Sequence, residues 1–570
     1  MVRLYRAPGG DGALSLRAYH AVALVALLSM PVAATAQVIP PSAQPGRERE
    51  LFTTPPPPQA QPGGAIVTLP SAVAPPGAAQ TVLIIAAIQV SGSTVYSTDE
   101  LALLYQPLLG SRQTLQTVYD LAQRITAKYG NDGYVLSRAV VPPQQLDPNG
   151  ATVRIEIIEG YIDKVEWPQR LARYRDFFSD YAARITAQRP VNIRTIERSL
   201  LLAGDLPGLK FASTFRPSEH ERNASTLVVD VVEKTIDASA HIDNRGTPQR
   251  GPYEYYGSAT INNLPGWQQA LTLTYAGVVP FDELNYAAAS YRQVLTSEGL
   301  TFFADGSDAW GTPGTAQLEA LQYRTLGPYG DAGLSYPVIR LRESNLKLSG
   351  FFFASNSESY VQGATFNDDR LRGFRFRVDG DYADSLQGVS QLYAIVSQGI
   401  KGLGSTQNGN PLASRAAGQV DFTKLEGFAA RTQPFGAGFS AYGAVYGQYA
   451  FTPLLVPEQC GFGGRFFGRA YDPSEILSDS CIEASGELRY DLPPVLPQVS
   501  QTQLYGYSDW GDLTTRDAAV GTPANVAAAS AGAGVRLGFI NQFDADLSVA
   551  KAIEGPRNDW RFFFIVAARY

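Results

Sequence analysis

Cys460-Gly-Phe-Gly-Gly-Arg-Phe-Phe-Gly-Arg-Ala-Tyr-Asp-Pro-Ser-Glu-Ile-Leu-Ser-Asp-Ser-Cys481 is the stretch on which the reading of this chain turns. It is bounded by the only two cysteines and sets Arg469 among glycines and aromatics. The sequence on either side alternates polar and apolar residues, as membrane β-strands do. A guanidinium keeps its charge, so in such surroundings Arg469 needs a partner held close.

Composition widens that reading. Gly (54), Tyr (30) and Phe (27) are abundant, Met (2) is nearly absent and charged residues make up 17%. No stretch after the first forty residues approaches the 18 or so uncharged apolar residues of a spanning helix; Thr81 to Val90 comes nearest. Hydropathy alone would describe a soluble secreted protein, whereas the Gly- and aromatic-rich profile fits a transmembrane β-barrel. The first residues read as an export signal over 1–36: Arg3, Arg6 and Arg17, an apolar run from Ala21 to Leu28, and Ala34-Thr35-Ala36 as the cleavage site, with the mature chain starting near Gln37. An exported chain with this profile points to the outer membrane of a Gram-negative cell. A net charge of −7 argues against a nucleic acid partner. In an exported protein two cysteines suggest one disulfide, Cys460 to Cys481, the alternative being two independent buried thiols.

Residues 37–80 are low in complexity, with Pro-Pro-Pro-Pro at 55–58, and read as a semi-extended linker. Within it only Arg47 to Phe52 suggests a turn of helix. Residues 81–236 hold an internal repeat. Val153-Arg-Ile-Glu-Ile-Ile-Glu-Gly-Tyr-Ile-Asp163 resembles Leu227-Val-Val-Asp-Val-Val-Glu-Lys-Thr-Ile-Asp237. Each is preceded by a strand, two helical patterns and a second strand, so each unit reads β-α-α-β-β. In the first, Ile85 to Val90, Ser97 to Tyr105, Thr114 to Tyr129 and Tyr134 to Val141 lead to the repeat; in the second, Ile162 to Trp167, Phe177 to Ala187, Ile193 to Ala203 and Leu209 to Phe215 do so.

This order resembles polypeptide-transport-associated (POTRA) domains, one over 81–160 and one over 161–236. Such modules usually bind unfolded chains by taking them up as an extra strand. From 237 to 570 the helical signal vanishes and strand-like alternations follow one another to Arg561 through Tyr570, with none read between those at Leu392 to Ser397 and Ala441 to Ala450. Asp243-Asn244-x-Gly246 resembles the start of the barrel in two-partner secretion translocators, and Tyr336-Pro337-Val-Ile-Arg340 resembles a second signature of theirs. That family's barrel has sixteen antiparallel strands. The length leaves about 21 residues for each strand and its connection, against about 10 that a barrel strand needs.

Taken together, these motifs resemble the two-partner secretion translocators of the hemolysin-activator and hemagglutinin-secretion type (the ShlB/FhaC/HecB-like family). In the wider superfamily an Arg-Gly-Tyr or Arg-Gly-Phe motif on the sixth extracellular loop reaches into the barrel. Here it reads Arg469-Ala470-Tyr471, with alanine in the glycine's place. The resemblance implies that Arg469 pairs with Asp509, in Tyr505-Gly-Tyr-Ser-Asp-Trp-Gly511, whose Asp509-x-Gly511 matches a barrel-wall element. Tyr471 and Phe467 would pack alongside. Gly468 and Asp472 would support the loop, and Asp479 matches the acidic residue that closes it. The competing arrangement leaves Arg469 bridged to Asp472 or Glu475 in an exposed loop. Translocators of this type often carry an N-terminal plug helix, and no long amphipathic helix is evident here.

Catalysis is poorly supported. After the leader only His220 and His241 remain, with no Cys-x-x-Cys, no nucleophile elbow and no nucleotide site, so the chain reads as a non-enzyme without a cofactor. Gly532-Ala-Gly-Val-Arg-Leu-Gly538 imitates a dinucleotide loop but lacks a following helix. The resemblance implies export of a large unfolded exoprotein, adhesin- or hemolysin-like, without nucleotide hydrolysis. It also implies contact with outer-membrane lipids and recognition of Tyr570 by the barrel-assembly machinery. The competing functions are a barrel-assembly insertase, which usually carries more POTRA modules, and a passive porin.

Overall fold

The computed structural model describes residues 39–52, 57–63, 73–263, 266–493, 496–519, 522–540 and 542–570. The export signal expected over 1–36 lies outside them. Two small α+β units precede the barrel. In the first, the strand Val82–Ser91 runs parallel to Ala151–Ile158, which pairs antiparallel with Arg138–Val140. The helices Thr98–Ala102 and Leu115–Asn131 cover one face of this sheet. The second unit repeats the plan: Tyr161–Glu166 parallel to Ala224–Glu233, Leu209–Pro217 antiparallel to it, and the helices Arg175–Ala187 and Ile193–Gly204. Helix starts follow side-chain caps. Ser97 and Glu100 form a reciprocal capping box, and Asn192 accepts from the Arg194 N–H. The first unit's core is Ile85, Leu121, Ile125, Tyr129, Val153 and Ile155, all buried.

From Ile236 to Arg569 sixteen antiparallel strands close into a barrel, with a three-residue piece, Arg324–Leu326, set between the fifth and sixth. Strand neighbours follow chain order, and Trp560–Arg569 closes on Ile236–Asp243. Apolar side chains such as Leu273, Phe374, Leu392, Val445, Leu488 and Val549 stand exposed on the outer wall. Charged and small residues line the inside. That inversion suits a wall with hydrocarbon outside and water within.

Two expectations are corrected. The segment expected to be a semi-extended linker is partly folded inside the barrel: Pro41–Ala43 forms a 3-10 turn and Glu48–Phe52 a short helix. Phe52 packs on Tyr286 of the inner wall, and Glu48 forms a buried ion pair with Arg250 at 2.9 Å. Lower down, the Ala60 and Gln61 N–H groups donate to Asp381 and to the Arg342 carbonyl. Helix propensity alone would not hold five residues; the pocket's partners do. The tenth barrel strand, Thr423–Gly436, has no counterpart among the expected alternations. Its exposed large apolar residues are only Leu425 and, ten residues on, Phe435, with Gly427 and Ala429 between, and Lys424, Glu426 and Pro434 interrupt the apolar signal.

Candidate functional site

The connection 451–479, sixth on the rim away from the two α+β units, folds back into the lumen. It leaves strand Phe439–Ala450 and returns to strand Ser480–Leu492. At its base Cys460 and Cys481 are joined by a disulfide, and Cys460–Phe462 pairs with Ile476–Ser478 as a two-stranded ribbon. Arg469 stands at the far end. The left-handed backbone needed for the tight turn falls at Gly468 (φ +66), directly before the arginine. Ala470 therefore replaces the usual glycine without strain and is fully buried.

Arg469 reaches the carboxylate of Asp509 on the thirteenth strand in bidentate fashion, Nε at 3.1 Å and Nη2 at 2.8 Å. Its own N–H also donates to Asp509, at 2.9 Å. Ser485 and Ser530 donate their hydroxyls to the same carboxylate at 2.9 and 3.0 Å, and no part of the Asp509 side chain is exposed. A fork matching two carboxylate oxygens is the strongest geometry an arginine offers. Its remaining nitrogen donates to Glu487 at 2.8 Å, and Tyr507 lies under the guanidinium, 3.4 Å from its carbon. Tyr507 and Tyr505 have room because Gly532 and Gly534 stand opposite; a Cβ there would sit 2.5–2.6 Å from the tyrosine rings. The glycine-rich imitation of a dinucleotide loop is thus a barrel strand with space for aromatics.

The other expected site residues fan out from this point. Tyr471 packs on Phe462 and donates to the Glu554 carbonyl, so the aromatic on Arg469 is Tyr507 and not Tyr471. Phe467 lies near Tyr446, ring centroids 6.4 Å apart. Phe462 is wedged between Gly468 and Gly511: a Cβ at either would meet its ring at 2.5 Å. Asp472 pairs with Arg557 and Arg561 at 2.7 and 2.8 Å. Glu475 pairs with Arg557, so neither acid takes Arg469. Asp479, fully buried, accepts from Arg415 and from the N–H groups of Leu454 and Arg516, tying three neighbouring connections together. Sequence reasoning passed over Arg465, Phe462, Glu487 and Glu458. Glu458 pairs with Arg375 and Lys424 across the lumen, at 2.6 and 2.9 Å. His241 stacks on Tyr256 and His220 sits in an exposed turn; neither belongs to this site.

The family model for the POTRA domain, ShlB-type, matches residues 83–160, and that for the haemolysin secretion/activation protein ShlB/FhaC/HecB matches residues 223–537, more than half the chain. This chain belongs to the ShlB/FhaC/HecB family. As a member, it is a two-partner secretion translocator of the outer membrane with its POTRA region in the periplasm. Relatives within reach are distant. The heme/hemopexin transporter protein HuxB of Haemophilus influenzae (strain 86-028NP) is 21% identical over 80% of this chain and 81% of its own. The outer membrane transporter CdiB of Escherichia coli is 22% identical over 75% and 72%. Among solved structures CdiB from Escherichia coli superposes with a TM-score of 0.68 over 86% of this chain and 91% of its own, at 18% identity. CdiB from Acinetobacter baumannii gives 0.59 over 97% and 98%, at 17% identity. The family's barrel and these two folds share the architecture described above.

Proposed function

We propose that the units at 81–160 and 161–236 capture a large exported protein while it is unfolded, and that the barrel over 237–570 passes it outward without nucleotide hydrolysis. The observation that carries this reading is the free edge of the second unit. Leu209–Pro217 pairs on one side with Ala224–Glu233, and its other edge has no strand partner among the described residues. Beside it runs a groove with apolar Ile196, Leu200, Phe211 and Phe215 and basic Arg138 and Arg342. An extended chain adds to such an edge through its main chain, which asks little of its sequence. Residues 41–52 and 57–61 contact the inner wall and the barrel's lower turn, so export requires them to shift. The sixth loop, held by Arg469 on Asp509 and Glu487 with Tyr471 and Gly511 packed around Phe462, serves as fixed support on one wall. The outer face meets membrane lipid, and Tyr570, with its side chain largely exposed, is the residue offered to the assembly machinery.

The test removes residues 81–235. Export of the partner is expected to disappear while the barrel still inserts, measured by secretion of the partner and by the barrel's heat-modifiable migration. Undiminished export from that deletion would overturn the reading.

A further inference from the structure

The sixth loop holds a second arginine, Arg465, four residues before the first. Its guanidinium lies 2.9 Å from Glu254 on the second barrel strand and bonds Asp243 on the first. On the same loop Asp472 pairs with Arg561 on the last strand at 2.8 Å, and Arg561 also donates to the Ala470 carbonyl. These contacts fall on both sides of the joint where the last strand meets the first.

That joint is the shortest of the sixteen. It runs from 239–243 against 565–569, whereas its neighbours run 543–551 against 560–568 and 236–243 against 254–261. Above residue 243 the ladder continues through a side chain: Asn244 donates to the Phe562 carbonyl and accepts from the Phe564 N–H, both at 2.8 Å. Arg245 next reaches across: its guanidinium donates through Nη1 to the Gly464 carbonyl at 3.4 Å, and its Cζ lies 4.2 Å from the centre of the Phe563 ring. Asp243 and Glu254 are almost wholly buried, so without Arg465 two neighbouring carboxylates would face each other inside the wall.

We propose that the loop is a strap over the closing joint, with Arg465 and Asp472 as positioning residues that hold the first and last strands together from within the lumen. Arg469 anchors the strap's other side, on strands twelve to fourteen. The strap stands apart from the export reading, because its test needs no exported partner.

The test is amide hydrogen exchange on the purified full chain in lipid nanodiscs. Arg465→Gln and Arg561→Gln are expected to speed exchange at 239–243 and 565–569 at least tenfold over the unaltered protein. Arg469→Gln is expected to leave those amides within about threefold, and to loosen 481–487 and 507–511 instead. Arg465→Lys, which keeps one charge, is expected to fall between. Unchanged exchange at the joint in Arg465→Gln would overturn the proposal, as would equal acceleration over all sixteen strands. If Arg465→Gln does not insert, Arg465→Lys and Asp472→Asn supply the same comparison, and unaltered joint amides in both would overturn it too.

Discussion

In the strand Ala151–Ile158 of the first α+β unit, Ala151, Val153, Ile155 and Ile157 are buried while Thr152, Arg154 and Glu156 face water. In the barrel strand Ser480–Leu492 the buried set is Cys481, Glu483, Ser485 and Glu487, and Ile482 and Leu488 stand outside. The alternation is the same and the hidden half is reversed. In the unit, burial is driven by apolar area and has no direction, so any well-fitting side chain serves. In the barrel, most of the enclosed groups are polar or acidic, and each such group costs free energy unless a specific partner meets it. One region is held by how much it buries, the other by which atom faces which.

The comparison is broken hardest at Asp509. Asp509→Ala leaves Arg469 without its fork and is expected to destabilise the barrel by about 3–5 kcal/mol, read from urea unfolding in lipid vesicles. The apolar replacement Arg469→Met with Asp509→Leu should recover much of that loss; if it does not, the lumen requires polarity and not just satisfied groups. Next comes Ile155→Ala, expected to cost the first α+β unit about 3 kcal/mol and leave barrel unfolding unchanged. On the outer wall, Leu488→Lys puts a charge against hydrocarbon and is expected to cost about 2 kcal/mol, whereas Lys at the water-facing Arg154 should cost nothing measurable.

The smallest effect concerns acid. Burial works to raise the Glu159 carboxyl, but hydrogen bonds from Thr94, Tyr129 and the Val95 N–H outweigh it and hold it below the usual carboxylate range. A carboxyl lowered on folding contributes stability above its unfolded value of about 4.3 and loses it as pH falls through the folded one. The melting temperature of the α+β units should therefore drop as pH falls below about 4. Glu159→Gln should flatten that drop and leave the barrel transition alone, as followed by circular dichroism.

The same contrast explains what was legible in the sequence. The two units obey helical and strand periodicities with apolar cores, so their repeat stood out, element by element. Most barrel strands showed through their outward Leu, Phe, Tyr and Val. Thr423–Gly436 did not, because Leu425 and Phe435 are its only large exposed apolar residues and stand ten residues apart. The Arg469–Asp509 pair was legible through its motif, although the two stand 40 positions apart. Glu487 and Tyr507 were not: which residues of neighbouring strands stand opposite depends on register, and register leaves no mark on the charges themselves. Arg465 carried the same signal as Arg469, a guanidinium among glycines and aromatics, and was hidden only by its neighbour's likeness to a motif. The turn of helix at Arg47 to Phe52 was legible, but its place inside the barrel was not, because that rests on Arg250 and Tyr286, both 200 or more residues away.

The segment inside the barrel also bears on the order of assembly. Ser42 and Ala43 give their carbonyls to Arg250 near one rim, and Gln61 meets Arg342 at the other. A closed ring of strands admits such a piece only end-on or before the ring is complete. The strand that completes it is the last one made, Trp560–Arg569, and the enclosed piece is synthesised long before. Along the second of these routes the wall closes around a core already in place, and the plugged barrel, not the open one, is then the first state formed.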